Sequence, residues 1–176
     1  LLLTRSIGAV FSLVCAVGIV KLGFRRGILL VAIVFTATML IKLSDPELIN
    51  RYLWWESTLR IIKDNPVFGT GLGTYEYVYP RYKISPLSTM FAHNYYLQLG
   101  SEIGIIGLVI FISFIVFAIL NIENAYYKIS ILAVLILNIF DYSLYIPANA
   151  LLFWSILSLS VKDNFLTRVL DKSNQG

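Results

Sequence analysis

Apolar residues gather into five stretches separated by polar loops: Ile7 to Val20, Ile28 to Leu43, Ile103 to Leu120, Ile129 to Phe140 and Ala148 to Val161. Such runs predict helices of a bilayer protein. Ile103 to Leu120, interrupted only by Gly104, Gly107 and Ser113, best matches the ~20 residues that a span requires. The shorter runs fit by tilting little, thinning the bilayer or borrowing a turn from flanking aromatics. The predicted fold is an all-α polytopic membrane protein of about five transmembrane helices, with two in residues 1–43 and three in 103–161. A long loop, 44–102, joins the two groups, and a tail covers 162–176.

Orientation follows from the cations. Lys21, Arg25 and Arg26 between the first two stretches, and Lys162, Arg168 and Lys172 in the tail, mark the cytoplasmic side by the positive-inside rule. The 44–102 loop then faces outward, and its five basic residues against six acidic ones do not oppose export. Within it, Ser44-Asp45-Pro46-Glu47 has the form of a capping box with proline in the first helical turn. Leu48, Tyr52, Trp55, Leu59 and Ile62 recur at alternating four- and three-residue spacing, which predicts one apolar face of an amphipathic helix. Asn65-Pro66 ends that helix, which is expected to lie on the membrane or across the mouth of the bundle.

Composition agrees with the pattern. Hydrophobic residues make up 58% and charged residues 14%, with a mean hydropathy of +0.78, too apolar for an ordinary soluble domain. The net charge of +4 is scattered rather than striped, which argues against nucleic-acid binding. Cys15 is the only cysteine and lies in an apolar run, so it offers neither a disulfide framework nor a thiolate metal site. The chain opens on Leu1-Leu2-Leu3-Thr4-Arg5 in the middle of apolar sequence, which reads as the continuation of a longer polypeptide. It does not read as a signal peptide, because no basic leader region or small-residue cleavage site accompanies the run.

Candidate chemistry is confined to the outward loop. His93 is the only histidine, and positions 93, 97, 100, 104 and 107, three of them glycine, would share one closely packed helix face. A helix N-terminus disfavours imidazolium, which leaves a neutral ring able to accept a proton; the plainer role is a hydrogen-bonded anchor for the loop. Without a second His or Cys in the loop, metal binding by His93 has no ligand set, and helix capping accounts for Asp45 and Glu47. Arg51 and Arg60 are nine residues apart, about half a revolution, so they cannot serve one ligand from a straight helix. Glu56 and Asp64 flank Arg60 as an ion-pair ladder, leaving Arg51 as the candidate phosphate fork; from spacing alone the plainer role for Arg51 is a surface or headgroup contact. Gly69-Thr70-Gly71-Leu72-Gly73 serves either as a connecting turn or as an anion nest; it lacks the Lys-Ser/Thr of a nucleotide loop. Tyr75, Tyr77, Tyr79, Tyr82, Tyr95 and Tyr96 suit sugar faces and the lipid–water boundary alike.

Three segments taken in order resemble the O-antigen ligase and O-antigen polymerase superfamily: Arg51-Tyr52-Leu53-Trp54-Trp55, then Asn65 to Gly73, then His93-Asn94-Tyr95-Tyr96-Leu97-Gln98 with Gly104 and Gly107. The resemblance implies a GT-C-like, multi-helix inner-membrane glycosyltransferase acting on the periplasmic side. Its donor would be a glycan on undecaprenyl diphosphate, and its acceptor lipid A-core in ligases or another carrier-linked glycan in polymerases. It implies catalysis without metal or other cofactor, with Arg51 on the diphosphate and His93 as base or acceptor-positioning group. Asn94, Trp55, Gly69, Gly71, Gly73, Arg81 and Tyr75 are the substrate-binding candidates. Family members carry about twice as many spans, including a further loop arginine, so the present chain resembles their C-terminal half and is expected to depend on the other half for activity. The spacing of His-Asn, nine residues, then Gly-x-x-Gly leans toward ligase, while related polymerases use similar loops. A transporter for lipid-linked sugars would place charged or helix-breaking residues inside its spans, and the predicted stretches contain few. A structural or partner-binding subunit is the remaining alternative.

Overall fold

The computed structural model describes residues 7–23, 25–27, 29–33, 36 and 46–173. Among them are helices and short turns, with no strand. The helices are α1 (Ile7–Leu22), α2 (Pro46–Asp64), α3 (Tyr75–Val78), α4 (Tyr95–Leu120), α5 (Ala125–Leu137) and α6 (Pro147–Ser173), with 3₁₀ turns at Tyr79–Arg81 and Ser143–Tyr145. The second expected span is described only in part, and the described residues 29–33 and 36 are helical. Ser44 and Asp45 of the expected capping box lie outside the described residues.

By length and composition, α4 alone of the described helices could cross a membrane unaided. The apolar parts of α1, α5 and α6 are shorter. At 1.5 Å per residue, α5 rises about 20 Å against a hydrocarbon thickness of about 30 Å. Rather than stopping at Val161, α6 continues as a helix to Ser173. Tyr95, Leu99, Ile115 and Ala118 of α4 form one core with Ile131 and Leu135 of α5 and Phe153 and Leu157 of α6. Against α5 and the residues after it packs α1, with Phe11 meeting Phe140 edge-on at 6.1 Å.

As Asn65-Pro66 predicts, α2 ends at Asp64, with the Asn65 side chain donating to the Ile61 carbonyl. The face it turns to the rest of the protein is offset from the predicted apolar stripe. Trp54, Ser57, Thr58 and Ile61 are buried, whereas Tyr52 is 64% and Leu59 52% exposed, and Leu48, Trp55 and Ile62 are half-buried. The reason is local hydrogen bonding. Ser57 donates to the Leu53 carbonyl and Thr58 to the Trp54 carbonyl, so both hydroxyls enter the core already partnered and pack as small residues. A second, smaller core of Trp54, Ile61, Tyr75, Tyr79 and Ala92 thereby joins α2 to the loop that follows it.

The expected glycine face of α4 is also corrected. His93 stands outside the helix, with Asn94 as N-cap accepting from the Leu97 N–H at 3.0 Å. Eleven residues further on, Gly104 takes φ 73° and ψ 177°, which interrupts the helix. The five positions therefore do not form one continuous face.

Candidate functional site

His93 is held by its neighbours on both sides of the chain. Its backbone adopts a left-handed φ of 52°, uncommon for a side chain with a Cβ. The amide of Gln98 supports this turn, its Oε1 accepting the preceding Ala92 N–H at 2.9 Å. The imidazole stacks on Trp54 of α2 at 4.8 Å and 21°, and Tyr142 meets it edge-on at 4.9 Å. Tyr142 comes from the segment after α5. Phe91 stacks flat on the same tyrosine at 4.2 Å.

Arg51 precedes Trp54 by three residues on α2, so it lies within a turn of the indole that carries His93. Its Nη1 donates to the Phe140 carbonyl at 2.6 Å, a charge-assisted bond that orients the guanidinium toward the segment supplying Tyr142. Trp55 lies against the Phe140 ring at 6.2 Å, and its buried indole N–H has no hydrogen-bond partner among the described residues. The same segment is clasped to the start of α4: the Tyr95 N–H reaches the Asn138 and Asp141 carbonyls, and the Tyr96 hydroxyl donates to the Leu135 carbonyl. Arg51, Trp55, His93 and Asn94 are thus brought together around Phe140 to Tyr142.

The glycine segment is placed elsewhere. The Thr70 N–H donates to the Ser101 carbonyl at 2.9 Å and the Gly71 N–H to the Glu102 carbonyl at 2.8 Å, while the Ile105 N–H reaches the Pro66 carbonyl at 2.8 Å. These are backbone groups of α4 that the break at Gly104 leaves without helical partners. The loop straps the broken helix. Close approach explains the glycines: a Cβ on Gly104 would meet the Val67 carbonyl, and one on Gly69 the Glu102 carbonyl. Gly73 has a φ of 72° with open space around it. Of the two roles open to the loop, its Thr70 and Gly71 N–H groups serve the connecting one.

Tyr75 and Tyr79 stack at 5.5 Å inside the second core, while Tyr77 is exposed. The Tyr75 hydroxyl shares a 2.9 Å hydrogen bond with Thr58, and burial pushes its phenol upward despite that bond. Arg81 is exposed at the end of its 3₁₀ turn. Arg60 pairs with Glu56 at 2.9 Å on the surface, the first rung of the expected ladder.

Glu102 is a residue that the sequence reading passed over. Only 1% exposed, it accepts the Tyr145 hydroxyl at 2.9 Å, and the Gln98 amide and the Tyr75 N–H at 3.4 Å each. Burial first, then the Glu102 charge, raises the Tyr145 phenol well above its ordinary range. A continuous set of bonds therefore runs from the Gly104 break through Glu102 and Gln98 to the turn that presents His93. Its signal in the sequence is an acid directly before the apolar run, four residues after a glutamine on the same helix face.

No curated protein and no solved structure matches the chain. Residues 1–112, which include Arg51, the glycine strap, His93 and α4 as far as Ile112, match the O-antigen ligase family. That span covers more than half of the sequence and contains every element that builds the cluster except the Phe140 to Tyr142 segment, and the chain belongs to the O-antigen ligase family.

Proposed function

We propose that the chain is the C-terminal part of a glycan ligase that transfers a glycan from undecaprenyl diphosphate to lipid A-core at the periplasmic face of the bacterial inner membrane. About five spans would hold the 44–102 loop on that side. In the reaction, an acceptor hydroxyl oxygen attacks the anomeric carbon of the donor and the bond from that carbon to the diphosphate oxygen breaks. His93 takes the hydroxyl proton, and Arg51 balances the charge that develops on the departing diphosphate. The observation that carries this reading is the His93 ring fixed between Trp54 and Tyr142, with Arg51 within one helical turn of Trp54.

Replacing His93 and, separately, Arg51 by Ala in the full-length gene is expected to abolish mature surface polysaccharide. Normal polysaccharide in both strains would remove the assignment. The same strains separate ligase from polymerase, since loss of a ligase leaves polymer on the carrier and loss of a polymerase leaves single repeat units. A transporter draws some support from the Gly104 break and the buried Glu102. Against it stands the strap, which occupies backbone groups that a transporter would offer to its cargo.

A further inference from the structure

We propose that Glu102 is the positioning residue of His93: its buried carboxylate holds the turn that presents the imidazole through Gln98, and the opposite wall of the imidazole's seat through Tyr145. For its bearing on the reaction, this role rests on the reading of His93 as the group that takes the acceptor proton.

The first arm runs through an amide with one useful orientation. Gln98 Oε1 accepts the Ala92 N–H at 2.9 Å, and Gln98 Nε2 donates to Glu102 Oε1 at 3.4 Å, one turn further along α4. A backbone N–H can only donate, so the oxygen end of the amide must face Ala92, and Glu102 supplies the acceptor that takes the nitrogen end. Among the described residues the groups bonded to Glu102 are donors, with the Tyr75 N–H also on Oε1 and the Tyr145 hydroxyl on Oε2. Ala92, Gln98 and Glu102 are buried, so water does not replace these partners, and a turned amide would leave the Ala92 N–H unpaired. The next residue is His93, whose φ of 52° persists only where the surroundings over-determine it.

The second arm reaches the far side of the ring. Tyr145, bonded to Glu102 Oε2 at 2.9 Å, closes the 3₁₀ turn that directly follows Tyr142, whose ring meets the imidazole edge-on at 4.9 Å. Phe91 joins the two tyrosines, stacked on Tyr142 at 4.2 Å and tilted against Tyr145 at 6.2 Å. The turn before α4 and the segment after α5 thus converge on the two oxygens of one carboxylate. His93 itself is half-buried, so its ring is open on part of its surface while the groups that fix it are sealed from water.

The test reads the imidazole directly. Full-length protein carrying isotope-labelled histidine is observed by NMR in detergent at fixed pH, and the His93 ring signal is identified by its loss in His93→Ala. The stacked Trp54 and the edge-on Tyr142 displace that signal from the position of free imidazole. In Glu102→Gln, which keeps the side-chain volume and lets the Gln98 amide turn, the signal is expected to move toward the free position, and kcat for glycan transfer to fall about tenfold. Tyr145→Phe leaves the carboxylate and releases the second arm; it is expected to move the same signal, and it serves where Glu102→Gln does not fold. Ile131→Ala, a core truncation on α5 outside both arms, is expected to lower the unfolding midpoint with the signal unmoved. A signal at its parental position in Glu102→Gln, or one displaced equally by Ile131→Ala, would overturn the proposal. A displaced signal with unchanged transfer would uphold the placement and remove the reading of His93 as the base.

Discussion

The polar half of α4 is closed at its two ends by different means. At Tyr95 the closure is made largely by side chains: Asn94 caps the helix, Trp54 and Tyr142 grip His93, and Arg51 reaches the Phe140 carbonyl. At Gly104 it is made by backbone, three N–H to carbonyl bonds between the strap and the broken helix, with glycines where the chains touch. The first arrangement presents polar and aromatic side chains whose exchange should leave the fold in place. The second presents none, and it should fail when a single methyl group is added. The two glycine-bearing motifs, which the sequence offers as site elements, thus act as the scaffold that sets the height and angle of the aromatic end.

The largest expected effect comes from Gly104→Ala. The new Cβ would overlap the Val67 carbonyl at a left-handed φ, a combined cost of about 3 kcal/mol or more. Loss of purified, monodisperse protein, or a large drop in unfolding midpoint in detergent, is the expected readout, and normal stability would erase the contrast between the two ends. Arg51→Lys tests the other end. It keeps the charge and loses the planar fork, and transfer should fall about 10²-fold with the unfolding midpoint little changed.

Tyr145→Phe probes the link between the ends. Removing the hydroxyl leaves the buried Glu102 without its shortest bond, with an expected loss of about 2 kcal/mol in denaturant unfolding. The pH dependence has a definite sign. Tyr145 and Tyr75 both titrate higher in the fold than in the unfolded chain, so their contribution is complete below pH ~10 and is lost as pH rises above it. Tyr145→Phe should flatten part of that alkaline decline. The smallest effect is expected from Glu56→Gln, which breaks the exposed pair with Arg60 and should change stability by less than about 1 kcal/mol.

Much of the scaffold was legible in the sequence because it rests on local rules. A long apolar run gave α4, and Asn-Pro gave the end of α2. Elsewhere side-chain polarity is a poor guide to position. Ser57 and Thr58 are buried because each partners a carbonyl one turn back, while Tyr52 and Leu59 face outward. Gly104 looked like part of a packing stripe, because a glycine does not announce its φ; the strap 35 residues earlier selects it. Of the candidate site, Arg51 and His93 could be named from residue chemistry. Their common attachment to Phe140 to Tyr142 could not, since it depends on contacts across the length of α4 and α5.

The central claim is that the His93 imidazole serves the reaction rather than the fold. Transfer from a purified undecaprenyl-diphosphate-linked glycan to its acceptor, measured with full-length His93→Ala protein in proteoliposomes alongside its unfolding midpoint, tests it most directly. The account predicts a rate reduced by about 10²-fold or more with the midpoint within a few degrees of the parent. An unchanged rate, or a loss of rate that merely follows a collapsed midpoint, would contradict it.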